Sequence, residues 1–180
     1  MDLAGQVGRR LRELRTEQGI SLSELARRSG LGKATLSELE SGRRNPTLET
    51  LYALTTALST HLTAVLTPAT AQAEVSGGAV DAVLLERYQD DEATTEVFRV
   101  RVRAGALQES PAHPPGTTER IIVLGGTARV GPTGAATLVG PGRQADWAAD
   151  VPHEYSAPDG DAEAVLVVRY PRPGGAAAPR

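Results

Sequence analysis

The sequence predicts a multidomain α and β protein: a compact all-α unit over residues 1–66, then an antiparallel β-sandwich or barrel over residues 79–171. Three observations predict it. As far as Leu66, apolar residues recur at three- and four-residue spacing between capping residues. Beyond it, short β-branched segments alternate with period two, and Gly, Pro and Asp clusters divide them at roughly ten-residue spacing. At 180 residues the chain is long enough for two small cores.

In the first unit, Val7, Leu11 and Leu14 alternate with Arg9, Arg10, Arg12 and Arg15, which predicts an amphipathic helix ending at Gly19. Ser21 stands three residues ahead of Glu24. That is a reciprocal capping box, opening a second helix that turns Leu22, Leu25 and Ala26 inward until Gly30. A third runs from Ala34 to Glu40 with Leu36 and Leu39 inward and Gly42 behind it. Thr47 caps a fourth whose stripe is Leu48, Leu51, Leu54 and Leu58, and "HLTAVL" predicts a short fifth. Residues 67–78, "TPATAQAEVSGG", read as a flexible linker. Five β-branched segments follow, from "AVDAVLLERY" to "AEAVLVVRY", and the tail over 172–180 has too little apolar surface to order itself.

Composition narrows the function. Without cysteine, neither a disulfide framework nor a thiolate metal site is possible, and a cytoplasmic protein is expected. The longest apolar runs, Ile121 to Leu124 and Val165 to Val168, cannot span a bilayer, and the arginine-rich start lacks the apolar stretch of a signal peptide. No membrane partner is expected. The net charge of −3 divides unevenly: residues 1–66 carry nine Lys and Arg against seven Asp and Glu, whereas residues 67–180 carry ten against fifteen. The helical unit is therefore the natural partner of a polyanion.

Two short helices joined by a glycine-containing turn form a helix-turn-helix, whose second helix can enter the major groove of duplex DNA. From Val7 to Leu66 the pattern "RLRELRTEQGISLSELARRSGLGKATLSELESGRRNPTLETLYALTTAL" resembles the Cro/repressor-like, or XRE-family, DNA-binding domain, a five-helix lambda-repressor-like fold. The resemblance implies that Glu40 pairs with Arg15 of the first helix. With Leu36 and Leu39 inward, Lys33, Ala34, Ser37 and Glu38 are left to meet base edges, and the family uses the same positions. Arg43, Arg44 and Asn45 would lie beside phosphates, with Thr35 and Ser23 as further hydroxyl donors. Two positions depart from the family: Gly32 replaces the usual Ser or Thr cap, and Leu22 stands where many relatives place a polar contact to DNA.

Downstream, "GALQESPAHPPGTTERIIVLGG" and "GPGRQADWAADVPHEYSAPDG" resemble the two motifs of the cupin fold, a double-stranded β-helix barrel. The resemblance implies a metal site at one barrel mouth. Here Pro111 replaces the usual first histidine, leaving His113, Glu119 and His153. Two histidines and a carboxylate suit iron(II) or another divalent ion. Two alternatives stand beside that reading. His113 and Glu119 brace the proline-stiffened turn "PPGTTE" through hydrogen bonds, or they join His153 and Tyr155 as the polar groups of an effector pocket. Trp147, the only tryptophan, either walls that pocket or belongs to the core. Alternation puts Glu119, Ile121 and Val123 on one face, and Phe98, Val100 and Val102 opposite Arg99, Arg101 and Arg103.

The expected function is a homodimeric, sequence-specific transcriptional regulator, repressing rather than activating, whose cupin domain senses a small molecule or dimerises. The alternative is a metal-dependent cupin enzyme, an oxygenase or isomerase, with a DNA-binding head. Pro111 argues against it, so no catalytic residues are assigned. A domain serving only to dimerise would have a barrel interior filled with side chains.

Overall fold

The computed structural model describes residues 3–66 and 75–172. Four α-helices come first: α1 Leu3–Glu17, α2 Leu22–Ser29, α3 Lys33–Glu40 and α4 Leu48–Ala57. Their leucines make one core, in which Leu11, Leu25, Leu36, Leu51 and Leu54 are fully buried. Local chemistry sets the ends. The Ser21 and Thr47 side chains accept hydrogen bonds from the N–H groups of Glu24 and Thr50, and Gly30 closes α2 in the left-handed conformation at φ 70°. Only half of the predicted capping box forms, because the Glu24 carboxylate turns outward to Arg27 and Arg28. The predicted fifth helix is a single 3-10 turn, Leu62–Ala64; a six-residue segment holding Leu62, Val65 and Leu66 in the core has no room for a further α turn.

Two contacts fix α1 against α3. At Gly8 the backbones touch, and a Cβ there would collide with the Leu39 carbonyl oxygen. Two turns along α1, Arg15 forks onto Glu40, with Nε to Oε1 at 2.6 Å and Nη2 to Oε2 at 2.8 Å, while Nη1 donates to the Ile20 carbonyl at 2.9 Å. The paired side chains are only 12% and 7% exposed. The Glu40 hydrogen bonds hold the Arg15 guanidinium above its ordinary pKa.

The rest is an antiparallel barrel of two facing sheets. Its strands are β1 Val75–Ser76, β2 Val80–Gln89, β3 Ala93–Val102, β4 Leu107–Ser110 and β5 Thr118–Gly125, then β6 Ala128–Pro132, β7 Thr137–Val139, β8 Gln144–Ala148, β9 His153–Ser156 and β10 Ala162–Pro171. One sheet has the order β1-β2-β3-β10-β5-β8 and the other β4-β9-β6-β7. Inward positions are buried as alternation requires: Glu119, Ile121 and Val123 on β5, and Phe98, Val100 and Val102 on β3. The outward arginines pair at the surface, Arg101 with Asp161 and Arg103 with Asp81. Of the predicted linker and tail, residues 67–74 and 173–180 lie outside the described residues. Val75 and Ser76, assigned to the linker, form β1 instead, because Val75 finds a buried place opposite Ala82. Among the described residues no helix is long and apolar enough to cross a membrane.

The helical unit sits directly on the barrel. Helix α4 has two working faces: Leu48, Leu51, Leu54 and Leu58 fill the helical core, while Glu49, Tyr52 and Thr56 meet the barrel. Glu49 accepts from the Gly78 N–H, and Thr56 Oγ1 donates to the Ala112 carbonyl at 3.4 Å. Beyond α4, the 3-10 turn is held by Glu96 of β3, whose Oε1 accepts from the Thr63 N–H at 2.9 Å and from its hydroxyl. The joint therefore uses side chains from three consecutive turns of chain.

Two outcomes follow for stability. Removing one partner of the nearly buried fork, as in Glu40→Ala, is expected to destabilise the helical unit by about 3–5 kcal/mol in urea melts. Gly8→Ala gains helix propensity of ~0.5–1 kcal/mol yet forces the helices apart, so a net loss of about 1–3 kcal/mol is expected in the same melts.

Candidate functional site

The first candidate site is the outer edge of α3. With Leu36 and Leu39 buried, Lys33 and Ala34 are exposed and Thr35, Ser37 and Glu38 half-buried. Arg43, Arg44 and Asn45 are exposed in the following loop, and Ser23 is exposed on α2. Arg44 lies 3.7 Å from Glu38, so in the absence of DNA a loop cation and a helix carboxylate screen each other. Gly32 caps α3 with no side-chain hydrogen bond, and Leu22 packs partly buried against the core. Both departures seen in the sequence are thus real features of the surface.

The second candidate site lies between the sheets at the end nearest α4. Glu119 from β5 faces Trp147, its register partner on β8, and across the barrel β9 supplies His153 and Tyr155. His113 comes from the loop after β4. That loop is clamped by the His113 N–H to the Ala149 carbonyl at 2.8 Å, the Thr117 N–H to the Pro114 carbonyl at 3.1 Å, and the Gly116 N–H to Asp150 Oδ2 at 2.8 Å. Thr117 and Asp150 thus hold the proline turn together with His113.

One nitrogen from each of His113 and His153 and one Glu119 oxygen lie within 4.8 Å of one another, all buried. His113 Nε2 is 2.9 Å from Glu119 Oε1, and the Tyr155 hydroxyl donates to Oε2. Burial alone would push the Glu119 carboxyl up; the His113 hydrogen bond, the charges of both imidazoles and the Tyr155 hydroxyl outweigh it and hold the carboxyl below its ordinary value. His153 is the informative ligand. Its Nδ1 is 2.9 Å from the Val151 carbonyl, which can only accept, so Nδ1 donates there and Nε2 is the ring nitrogen turned to the site. Nε2 is buried, has no hydrogen-bond partner among the described residues, and stands 3.5 Å from Glu119 Oε2. A ring nitrogen and a carboxylate oxygen this close in a buried site call for a cation or a proton between them. The donor set therefore fits a divalent ion.

Aromatic rings close this site. Trp147 lies edge-on to Tyr155 at 5.9 Å and tilted against His153 at 6.3 Å, so it is both wall and core. Tyr52 of α4 is tilted against His113 at 4.4 Å between ring centroids. Burial and the charges of Glu119 and Glu96 push its phenol well above the ordinary value. The sequence reading missed Tyr52. The only signal was spacing: Glu49, Tyr52 and Thr56 recur at three and four residues on the face opposite the leucine stripe. Pro111 is near the site in sequence but offers no ligand atom.

The helix-turn-helix family matches residues 11–65. The helix-turn-helix-type transcriptional regulator y4dJ of Sinorhizobium fredii is 44% identical over 38% of this chain and 88% of its own length. The chain belongs to the helix-turn-helix family of transcriptional regulators. The likeness extends beyond the helices. The regulator is 29% identical to the transcriptional regulator SutR of Escherichia coli K12 over 95% of its own length and 98% of SutR. The crystal structure of an HTH_3-family transcriptional regulator from Vibrio cholerae superposes with a TM-score of 0.85 at 28% identity, covering 96% of the regulator and 100% of that chain.

Tyr155→Phe leaves the buried Glu119 carboxylate short of one donor, and a loss of about 1.5–3 kcal/mol is expected at neutral pH. Because the folded carboxyl is held low, this contribution exists above the unfolded carboxylate range and fades as pH falls through the folded value. Melts of both proteins across the acid range should therefore converge.

Proposed function

We propose that the regulator is a cytoplasmic homodimeric repressor whose hold on its operator responds to a divalent cation bound by His113, Glu119 and His153. The carrying observation is the buried His153 Nε2, without a hydrogen-bond partner among the described residues and 3.5 Å from Glu119 Oε2. When bound, the ion supplies positive charge between those groups and open coordination positions for oxygen atoms of a small-molecule effector. The chain's own residues do the rest. The Val151 carbonyl fixes the His153 ring, Tyr155 donates to the carboxylate, and Trp147 and Tyr52 exclude water.

At the DNA, Lys33 donates to guanine, Ala34 meets a thymine methyl, Glu38 accepts from cytosine, and Ser37 lies beside them. Arg43, Arg44, Asn45, Thr35 and Ser23 hold phosphates. One eight-residue helix reads few base pairs, so a two-fold dimer on a palindromic operator is the natural unit. The cation site is read as sensory rather than catalytic, because its ligands lie beneath a side chain of the DNA-binding unit.

Selection of fragments from genomic DNA by the full-length protein supplies the operator. Lys33→Ala should then weaken it by about 1–3 kcal/mol and relax specificity at one position, whereas Arg43→Ala and Arg44→Ala weaken all sequences alike and lower the salt slope by about one each. Failure to enrich any sequence would remove the DNA reading. For the cation, Co(II), Fe(II) or Mn(II) is expected to bind at one ion per chain by elemental analysis and to be lost in His153→Ala. Binding should weaken on acidification, because the ligand atoms must be deprotonated to hold a cation. An unchanged stoichiometry in His153→Ala would place the ion elsewhere.

A further inference from the structure

Placing Tyr52 in the roof of the barrel site gives one helix two duties. Its ring is 4% exposed and lies 4.4 Å from the His113 ring, so it belongs to the barrel site by contact and to the DNA-binding unit by chain. The backbone beneath Tyr52 is not free to adjust. Leu51 and Leu54, on the other face of α4, are fully buried in the same core as Leu25 of α2 and Leu36 of α3, the two helices that present the DNA edge. Close-packed cores transmit displacement rather than absorb it. To either side, Glu49 is tied to the Gly78 N–H and Thr63 to the Glu96 carboxylate. Tyr52 is thus the point between two anchors where α4 meets a ring that can change its partner.

His113 can change its partner. Among the described residues its Nδ1 is buried with no hydrogen-bond partner, and its Nε2 is engaged by Glu119 alone. Any ligand that draws Nε2 away from Glu119 must turn or shift the imidazole, and the face of that imidazole is covered by Tyr52. We infer that Tyr52 is the positioning residue through which the His113 cluster of the barrel sets the affinity of the helical unit for DNA. This rests on the reading of the barrel as the sensory half of a DNA-binding regulator. It does not require that the ligand be a metal ion.

A double-mutant cycle on the full-length protein tests it, with a fragment selected from genomic DNA by the unmodified protein as probe. His113→Gln is expected to change the dissociation constant by about tenfold, within the usual range of coupling between sites. In the Tyr52→Leu background the same substitution should change it by less than about twofold, the limit for independent sites. Tyr52→Phe, which keeps the ring, should retain the full effect, which a merely structural loss at position 52 would not predict. Should Tyr52→Leu melt below the assay temperature, Tyr52→Met replaces it as a flexible apolar filler. Equal effects of His113→Gln in both backgrounds would overturn the inference.

A second arm separates this from the cation reading. Co(II) added to the unmodified protein and to Tyr52→Phe should shift DNA affinity, and Tyr52→Leu should bind Co(II) without that shift. If Co(II) binds none of them, the cation reading fails while the cycle still decides the role of Tyr52. If Tyr52→Leu binds Co(II) and shifts as the unmodified protein does, the inference fails while the cation reading stands.

Discussion

A carboxylate shut away from water governs the barrel. Glu119 is 1% exposed, and burial of an ionised group is tolerated only where its oxygens are matched by donors or cations. Here one oxygen takes His113 and the other Tyr155, from a loop and from the opposite sheet. The carboxylate therefore joins the two sheets at their open end and orders the loop that bears His113. What it does not reach by a hydrogen bond is His153 Nε2, 3.5 Å away. A cluster nearly complete without a ligand, and complete with a cation, suits a binding site better than a structural one.

Much of this was legible in the sequence, for identifiable reasons. The helices could be read because each has a local start and stop, Ser21 and Gly30 or Thr47 and the end of the leucine stripe, and these depend on neighbours in the chain. Strand faces could be read because alternation on β3 and β5 is a local property too. The Arg15–Glu40 fork came from family resemblance, and its two ends are 25 residues apart, beyond what periodicity reveals. Where the reading failed, a competing partner had decided. Glu24 has its carboxylate taken by Arg27 and Arg28, Val75 is recruited by β2, and the chain after α4 tightens into a 3-10 turn because Glu96 of β3 captures Thr63. Tyr52 escaped because an aromatic residue on an amphipathic helix is ordinarily core, and only the docked barrel shows that its core is a different one.

Three nearly buried acids recur at joints: Glu40 between α1 and α3, Glu119 between the sheets, and Glu96 between the barrel and the helical unit. Pairs of this kind contribute little net stability relative to apolar packing, but they are costly to break and have directional geometry. Their effect is to fix angles. The three differ in how completely they are satisfied, and the difference follows function. Glu40 has both oxygens on one guanidinium, and the angle it sets, between α1 and α3, has to stay constant for α3 to fit a groove.

Glu96 is the least complete. Its Oε1 takes the Thr63 N–H and hydroxyl and lies 3.2 Å from His61 Nδ1, whereas Oε2 is buried with no hydrogen-bond partner. An unmatched buried oxygen costs about 1–3 kcal/mol, and that cost is relieved when the joint opens and water reaches it. Opening the domain joint therefore recovers free energy that opening the α1–α3 joint does not. The helical unit should move as one body, its internal angles held by a saturated fork, while its seat on the barrel is the place where the molecule gives way. The same residue that ties Thr63 to β3 thus carries both the strongest and the least satisfied contact of the joint.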